Sequence, residues 1–357
     1  MKYVELDTPA LLLDQDVLEA NIAAMADFFR GRAANLRAHV KTHKCPGIAL
    51  MQIDAGAVGV CCQKLGEAEV MCAAGIGDIL VTNQVVGTRK IERLLRLPRE
   101  ADVKVAVDSA ENVESLGSAG KQAGREIPVV IELDLGMGRS GVRPGQPAVE
   151  LARVVEGTDG VTLAGLMGFE GHCVDVPDPT QRRMETERAN ALLVDTADLV
   201  RQAGVGVRIV SAGGTGTYNM TGSRSGITEV EAGSYVFMDT SYRDVLQDFD
   251  VALTVLGTVT SRPAANRVTL DCGSKTLAGD FGTPAIMDLP GCMDCQLSEE
   301  HASFTYPEPL SGVRVGDKLR VIPAHCCSTV NLHDEYNVLS GEDVVGAWRI
   351  SAARKTQ

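Results

Sequence analysis

Between residues 36 and 237 the chain alternates between two textures. Short apolar runs recur as LRAHV (36–40), AVGVCC (57–62), DILVT (78–82), VKVAV (103–107), PVVIELD (128–134), TLAGLMG (162–168), VRIVSA (207–212) and VEAGSYVF (230–237). Runs of this length, rich in Val, Ile and Leu, predict buried strands. Between them lie mixed segments such as CPGIALMQIDAG, KLGEAEVMCAAG, TRKIERLLRL and AENVESLGSAGKQAG. Several of these stop at Gly or at a Pro-containing stretch, as helices do. PTQRRMETERANALLVDTADLVRQAG predicts a long helix within 180–204. Strands alternating with helices predict parallel βαβ units. Eight of them predict an α/β fold, a closed (β/α)8 TIM barrel, with an open doubly wound sheet as the alternative.

Past Asp239 the pattern changes. VALTVLGTVTSR, NRVTLDCG, KLRVIPAH, YNVLSG and DVVGAWRIS are short, alternating segments broken by Gly, Asn and Asp. They predict an all-β domain. The expected division is a barrel over residues 1–247 and a β domain over 248–357, with the first few residues packing on the latter.

Composition narrows the function. The chain has 357 residues, with 47 acidic and 34 basic side chains and a net charge of -13, which argues against nucleic acid and anionic membranes as partners. No apolar run reaches the roughly 18–20 residues of a transmembrane helix. The N-terminal MKYVELDTPALLLDQD turns acidic too early for a secretory signal. Ten cysteines, including the neighbours Cys61-Cys62 and Cys326-Cys327, read as reduced thiols in a cytoplasm, some of them available to a metal.

In a barrel of this kind, chemistry collects at the C-terminal ends of the strands. The first strand there runs into Lys41-Thr42-His43, part of the basic stretch RAHVKTHKCP. Such a lysine can act as an amine nucleophile toward an aldehyde, or belong to a basic rim that binds an anion. The fifth strand runs into Asp134 and Arg139, and the sixth into Glu170 and His172. After the seventh strand comes the glycine-rich turn GGTGT (Gly213 to Thr217), which is either a plain turn or a phosphate cradle. AGSYVF (Ala232 to Phe237) stands ready to add amides from the eighth strand.

In the β domain, PAHCCSTVNLHDEY contains the H-x-C pair His325 and Cys327. In an extended segment, side chains at i and i+2 point the same way and can share one cation. Nitrogen with sulfur favours Zn2+, with Mn2+ or Co2+ still open. The alternative is a pair of half-buried core residues. CMDC (Cys292, Cys295) has C-x-x-C spacing but no second C-x-x-C, so it reads as two free thiols in a turn.

Taken together, RAHVKTHKCPGIAL, GVCCQKLGEAE, ELDLGMGRSGV, SAGGTGTYN, EAGSYVFMD, LDCGSKTL, SEEH and PAHCCSTVNLHD resemble, in order along nearly the whole chain, the fold-type III pyridoxal phosphate enzymes of the D-threonine aldolase and D-serine dehydratase family. The resemblance implies an alanine-racemase-like barrel with a C-terminal β domain, usually a homodimer. It implies Lys41 as the Schiff-base lysine, and Gly213, Gly214, Thr215, Ser234 and Tyr235 around the cofactor. It places Arg139 near a cofactor oxygen, and His325 and Cys327 on a divalent metal, Zn2+ or Mn2+. The implied activity is a metal-assisted lyase on β-hydroxy-D-amino acids, foremost an aldolase giving glycine and an aldehyde. The rival outcome is ammonia loss, as in a D-serine or D-threo-3-hydroxyaspartate dehydratase. A metal-free racemase and a non-catalytic pyridoxal phosphate carrier are the readings from outside that class. The chain departs from the aldolase pattern at Gly168-Phe169-Glu170-Gly171, where A-Y-x-G is common. Glu170 and His172 are therefore the candidates for an acid–base role there.

Overall fold

The computed structural model describes residues 1–357. Their contacts divide the chain into two compact units. One comprises Met25–Lys41, Pro46–Gly233 and Lys355–Gln357, and the other Met1–Ala24, Thr42–Cys45 and Ser234–Arg354.

Strand β1 (Ala10–Asp14) and helix α1 (Gln15–Phe29) come first. The closed barrel then runs β2 (Asn35–His39), β3 (Gly59–Cys62), β4 (Asp78–Gln84), β5 (Asp102–Val107), β6 (Ile127–Leu133), β7 (Val161–Gly168), β8 (Ile209–Ala212) and β9 (Glu229–Val230). Each strand is parallel to the next, and β9 pairs with β2 to close the ring, which rules out the open sheet. Between strands lie α2 (Pro46–Asp54), α3 (Leu65–Ala73), α4 (Thr88–Leu95), α5 (Ala110–Ala123), α6 (Gln146–Glu156) and α7 (Pro179–Gln202). The helix ends follow local chemistry. The Ser109 side chain accepts from the Asn112 amide to start α5, and Gly124, left-handed at φ 58, ends it. Asp178 caps α7 by accepting from the Gln181 amide at 2.7 Å.

The barrel interior is packed by Cys61, Leu80, Ala106, Val130, Ala164, Met167 and Ile209. Below them the positive charge of RAHVKTHK is partly accounted for. Arg37, 1% exposed, donates to both carboxylate oxygens of Glu229 at 2.8 Å and to Asp78 at 2.7 Å. Lys104 closes the array onto Asp78 at 2.9 Å and Asp102 at 2.8 Å. A guanidinium suits this place because its planar fork meets Glu229 bidentately while its third nitrogen reaches Asp78.

The last barrel strand is shorter than the expected 230–237. After Val230 the chain donates from Glu231 to Ala212, receives the His39 amide at Ala232, and then coils into a single 3-10 turn over Ser234–Val236. Tyr235, Val236 and Phe237 are fully buried in that turn. A continuous apolar run reports burial, and burial alone does not distinguish a strand from a packed turn.

The second unit holds a nine-stranded sheet. Its strands are β1, β10 (Leu253–Ala264), β11 (Arg267–Leu270), β12 (Ala285–Ile286), β13 (Asp294–Leu297), β14 (Ala302–Thr305), β15 (Lys318–Ile322), β16 (Glu335–Ser340) and β17 (Asp343–Arg349). β1 lies antiparallel to β10 and parallel to β16, where Leu12 packs with Leu256 and Leu339. The sequence reading drew the division at 247/248 and left most of residues 1–24 to the barrel. By contacts the division falls at Gly233/Ser234, and Met1–Ala24 groups with the β unit. Thr42–Cys45 belongs there too: Tyr336 donates its hydroxyl to the His43 carbonyl at 2.6 Å, and Ala352 donates to the Lys44 carbonyl at 3.0 Å.

Candidate active site

At the mouth of the barrel the organising side chain is Phe169, just past the end of β7. Lys41 Nζ stands 5.5 Å from the centre of its ring, and the Arg139 guanidinium carbon 5.8 Å from it. Both distances are within cation–π range. A Cβ placed on Gly214 would come within 3.2 Å of the same ring's edge. One aromatic ring thus brings together the lysine after β2, the arginine after β6 and the glycine turn after β8. Arg139 is also held from below. Its guanidinium lies 3.8 Å from Glu132, which accepts from Ser140 at 2.9 Å and from Gln84 at 2.5 Å.

Glu170 is fully buried and has no freedom to act as a base. One of its oxygens accepts from the Gly213 amide at 3.0 Å, and the other from the hydroxyls of Thr217 at 2.8 Å and Thr221 at 2.9 Å. The Gly214 amide donates to Thr217 Oγ1 at 3.2 Å. Gly213 and Gly214 therefore contribute the shape of the turn, their amides being committed inside it. Gly213 sits at φ 87, and a Cβ on Gly216 would strike the Val174 carbonyl at 1.8 Å. Glycine is the residue that such a backbone tolerates. His172 is exposed and packs against Gly136, so it does not share in this network.

Within reach of the Lys41 charge lies Glu231, 8% exposed, accepting from the Ser211 hydroxyl at 2.7 Å. Burial raises its carboxyl to about 7. The Ser211 hydrogen bond opposes the rise, Glu229 adds to it, and the cations Lys41 and Arg37 offset part of it.

The second unit carries the other candidate centre. His325 has extended backbone and caps a short helix, Cys326–Val330. The expected i, i+2 alignment of a strand is therefore not the geometry present. The helical turn does the work instead, and donor atoms of His325, Cys326 and Cys327 lie within 4.8 Å of one another. Asp239, fully buried, orients the imidazole: its Oδ2 accepts from His325 Nδ1 at 3.1 Å and from the Cys326 amide at 3.0 Å. This leaves Nε2 for a cation, the arrangement that metal-ligating histidines ordinarily show. Burial works against a charged imidazole here, but the Cys327 thiolate and Asp239 outweigh it and push the histidine well above its usual range. Anionic surroundings that hold a proton so firmly also suit a divalent ion. Thr42 Oγ1 lies 3.1 Å from Cys327 Sγ, and Ser234 Oγ lies 3.7 Å from it. The ring of Phe281, 69% exposed, is 5.0 Å from that of His325.

The sequence reading named Lys41, Arg139, Gly213, Gly214 and Thr215, which lie in the barrel unit, and Ser234, Tyr235, His325 and Cys327, which lie in the other. It missed Phe169, Asp239, Thr42 and Phe281 as site residues. Two of them left a signal: Phe169 stands where the aldolase pattern carries a tyrosine, and an Asp opening the polar stretch DTSYR reads as a helix cap, which does accept from the Tyr242 amide at 3.0 Å. Cys292 lies just before β13 and Cys295 within it, both half-buried and outside any disulfide, with no third donor grouped with them.

The chain matches two family profiles: "Alanine racemase, N-terminal domain" over residues 13–241 and "Putative serine dehydratase domain" over residues 252–339. The first spans more than half of the chain. This protein belongs to the alanine racemase N-terminal domain family. Among curated proteins it is 38% identical to a D-threonine aldolase of Arthrobacter sp, over 97% of this chain and 92% of that protein. It is 35% identical to a 3-hydroxy-D-aspartate aldolase of Paracoccus denitrificans, over 99% and 94%. It is 32% identical to a D-threo-3-hydroxyaspartate dehydratase of Delftia sp., over 96% and 97%. Among solved structures, the D-threonine aldolase from Filomicrobium marinum superposes with a TM-score of 0.95 at 36% identity, covering 99% of this chain and 97% of that one.

The barrel mouth fits pyridoxal phosphate: an amine, a guanidinium and a glycine turn surround one aromatic face. The grouped donors of His325, Cys326 and Cys327 fit a borderline or soft divalent ion.

Two outcomes follow from these contacts. Glu170→Ala strands three donors around a buried gap and slackens the turn. Its affinity for pyridoxal phosphate, read by equilibrium titration of the cofactor's absorbance, should fall at least about tenfold, a loss of roughly 1.4 kcal/mol. An unchanged affinity would remove Glu170 from this role. Glu231 gives a pH signature. Its native carboxyl titrates near 7 against 4.5 for the ordinary group, so the native state holds the proton more tightly. Stability is therefore lost as pH rises from about 4.5 to 7, by on the order of 3 kcal/mol. Glu231→Gln removes that loss. Urea unfolding should show the variant more stable than wild type by about that amount at pH 8, with almost no difference at pH 4.

Proposed function

We propose that this protein is a pyridoxal phosphate- and divalent-metal-dependent lyase that cleaves β-hydroxy-D-amino acids to glycine and an aldehyde. The observation that carries the proposal is the position of Thr42. It directly follows Lys41 in the chain, and its hydroxyl contacts Cys327 at 3.1 Å. The peptide that carries the reactive amine therefore continues into a contact with the candidate metal pair. The full-length similarity to two aldolases supports the same reading.

Pyridoxal phosphate, when bound, supplies an electron-withdrawing ring that takes up negative charge from the substrate's Cα. Lys41 would hold it covalently, with Arg139, Gly213, Gly214, Thr215, Ser234 and Tyr235 around it. A divalent ion on His325 and Cys327 supplies a Lewis acid for the substrate's β-oxygen. Asp239 keeps the imidazole of His325 in the ligating orientation. The Phe169 ring stands within cation–π range of the Lys41 amine and would help to orient it. Cleavage of Cα–Cβ takes a proton from the β-hydroxyl and returns one to Cα. Glu170 is committed to three donors and Phe169 has no hydroxyl, so the free amine of Lys41 would take up the hydroxyl proton and return it to Cα. The same reading carries a homodimer in a reducing cytoplasm, the latter supported by ten free thiols.

A thiolate at position 327 favours a second outcome, ammonia loss, because H-x-C resembles the dehydratase pattern. One assay separates the two. Protein loaded with cofactor and Zn2+ or Mn2+ is given D-threonine and D-serine, and glycine, aldehyde, 2-oxo acid and ammonia are all measured. Glycine and acetaldehyde in equal amounts are expected from D-threonine, and they should vanish on chelation and in Lys41→Ala. Ammonia with a 2-oxo acid, in place of glycine, would overturn the aldolase.

A further inference from the structure

Cys326 stands between the two proposed metal ligands and has no part in the chemistry above. It is fully buried, and its amide is held by Asp239, the carboxylate that orients His325. Its backbone begins the helix Cys326–Val330 while His325 is still extended. The change of conformation at this point swings two consecutive side chains toward one place, which a continuous strand would send to opposite faces. Donor atoms of His325, Cys326 and Cys327 consequently lie within 4.8 Å of one another. Around a tetrahedral ion with Zn–S bonds of about 2.3 Å and Zn–N bonds of about 2.0 Å, neighbouring donors stand roughly 3.5–3.8 Å apart. The present spread of up to 4.8 Å is about 1 Å wider than that spacing.

We propose that Cys326 is a third protein ligand, so that the ion is held by one imidazole and two thiolates. The proposal rests on the reading of His325 and Cys327 as ligands. Three consequences follow. Two soft donors shift the preference from Mn2+ toward Zn2+. Three protein ligands leave one position of a tetrahedron for a substrate oxygen, the composition of a catalytic zinc site. Binding displaces the protons that these three groups still carry, and the two thiolates cancel the ion's charge, so a neutral centre forms at a partly buried place where a net charge would be costly.

The test is X-ray absorption at the zinc edge of the cofactor-loaded, zinc-loaded wild-type protein. Two sulfur scatterers at about 2.3 Å are expected. One sulfur would overturn the role of Cys326 and leave the His325–Cys327 pair standing; no sulfur would overturn both. Cobalt substitution gives a second reading. The thiolate-to-cobalt charge-transfer band should drop by about half, from two thiolates to one, in Cys326→Ser and in Cys327→Ser alike. A full-strength band in Cys326→Ser overturns the proposal. The wild-type absorption spectrum needs no variant, so a Cys326→Ser protein that does not fold leaves the test intact.

Discussion

The barrel mouth depends on one buried carboxylate. Glu170 sits where water does not reach, and an unsatisfied charge there would be among the most expensive groups in the protein. Three donors meet it, from the turn after β8 and from the helical segments that follow. The end of β7 and the glycine turn therefore move as one piece. Phe169, bonded to Glu170, is fixed with them, and on its ring stand Lys41 and Arg139. The acid acts through geometry: it orders the segment against which Lys41 and Arg139 stand.

Asp239 plays the same part in the second unit. It too is fully buried, and it too is saturated by donors, from His325, the Cys326 amide and the Tyr242 amide. It follows Met238, whose φ of 52 is unusual for a side chain of that size and marks a local backbone cost at the site. Two acids in this net-acidic chain thus act as fixed acceptors that aim other residues. Glu231 differs from both, with a carboxyl raised close to neutrality above the Arg37 ion array.

The barrel was legible because its strands are buried on both faces and so read as continuous apolar runs. Lys41, the glycine turn and the H-x-C pair were legible because unusual residue types stood at the C-terminal ends of predicted strands or close together in one short motif. β1 was not. The first few residues were expected to pack on the β domain, but ALLLD was not read as a strand, and its partners β10 and β16 lie hundreds of residues away. Phe169 and Asp239 stood in stretches the sequence marked, but their contacts were hidden for a related reason. A phenylalanine is usually core and an aspartate usually surface or cap. Their roles come from neighbours brought in by the fold: a lysine 128 positions earlier (169 − 41) for one, and a histidine 86 positions later (325 − 239) for the other. Local pattern decides the elements, and only the closed ring decides which loops meet.

The central claim is that the amine of Lys41 is the covalent anchor of the cofactor. Loading the wild-type protein with pyridoxal phosphate, reducing with borohydride and mapping the peptides by mass spectrometry tests it most directly. The account predicts a pyridoxyl group on the peptide containing Lys41 and on no other lysine. A label on a different lysine, or no label on the folded protein, would contradict it.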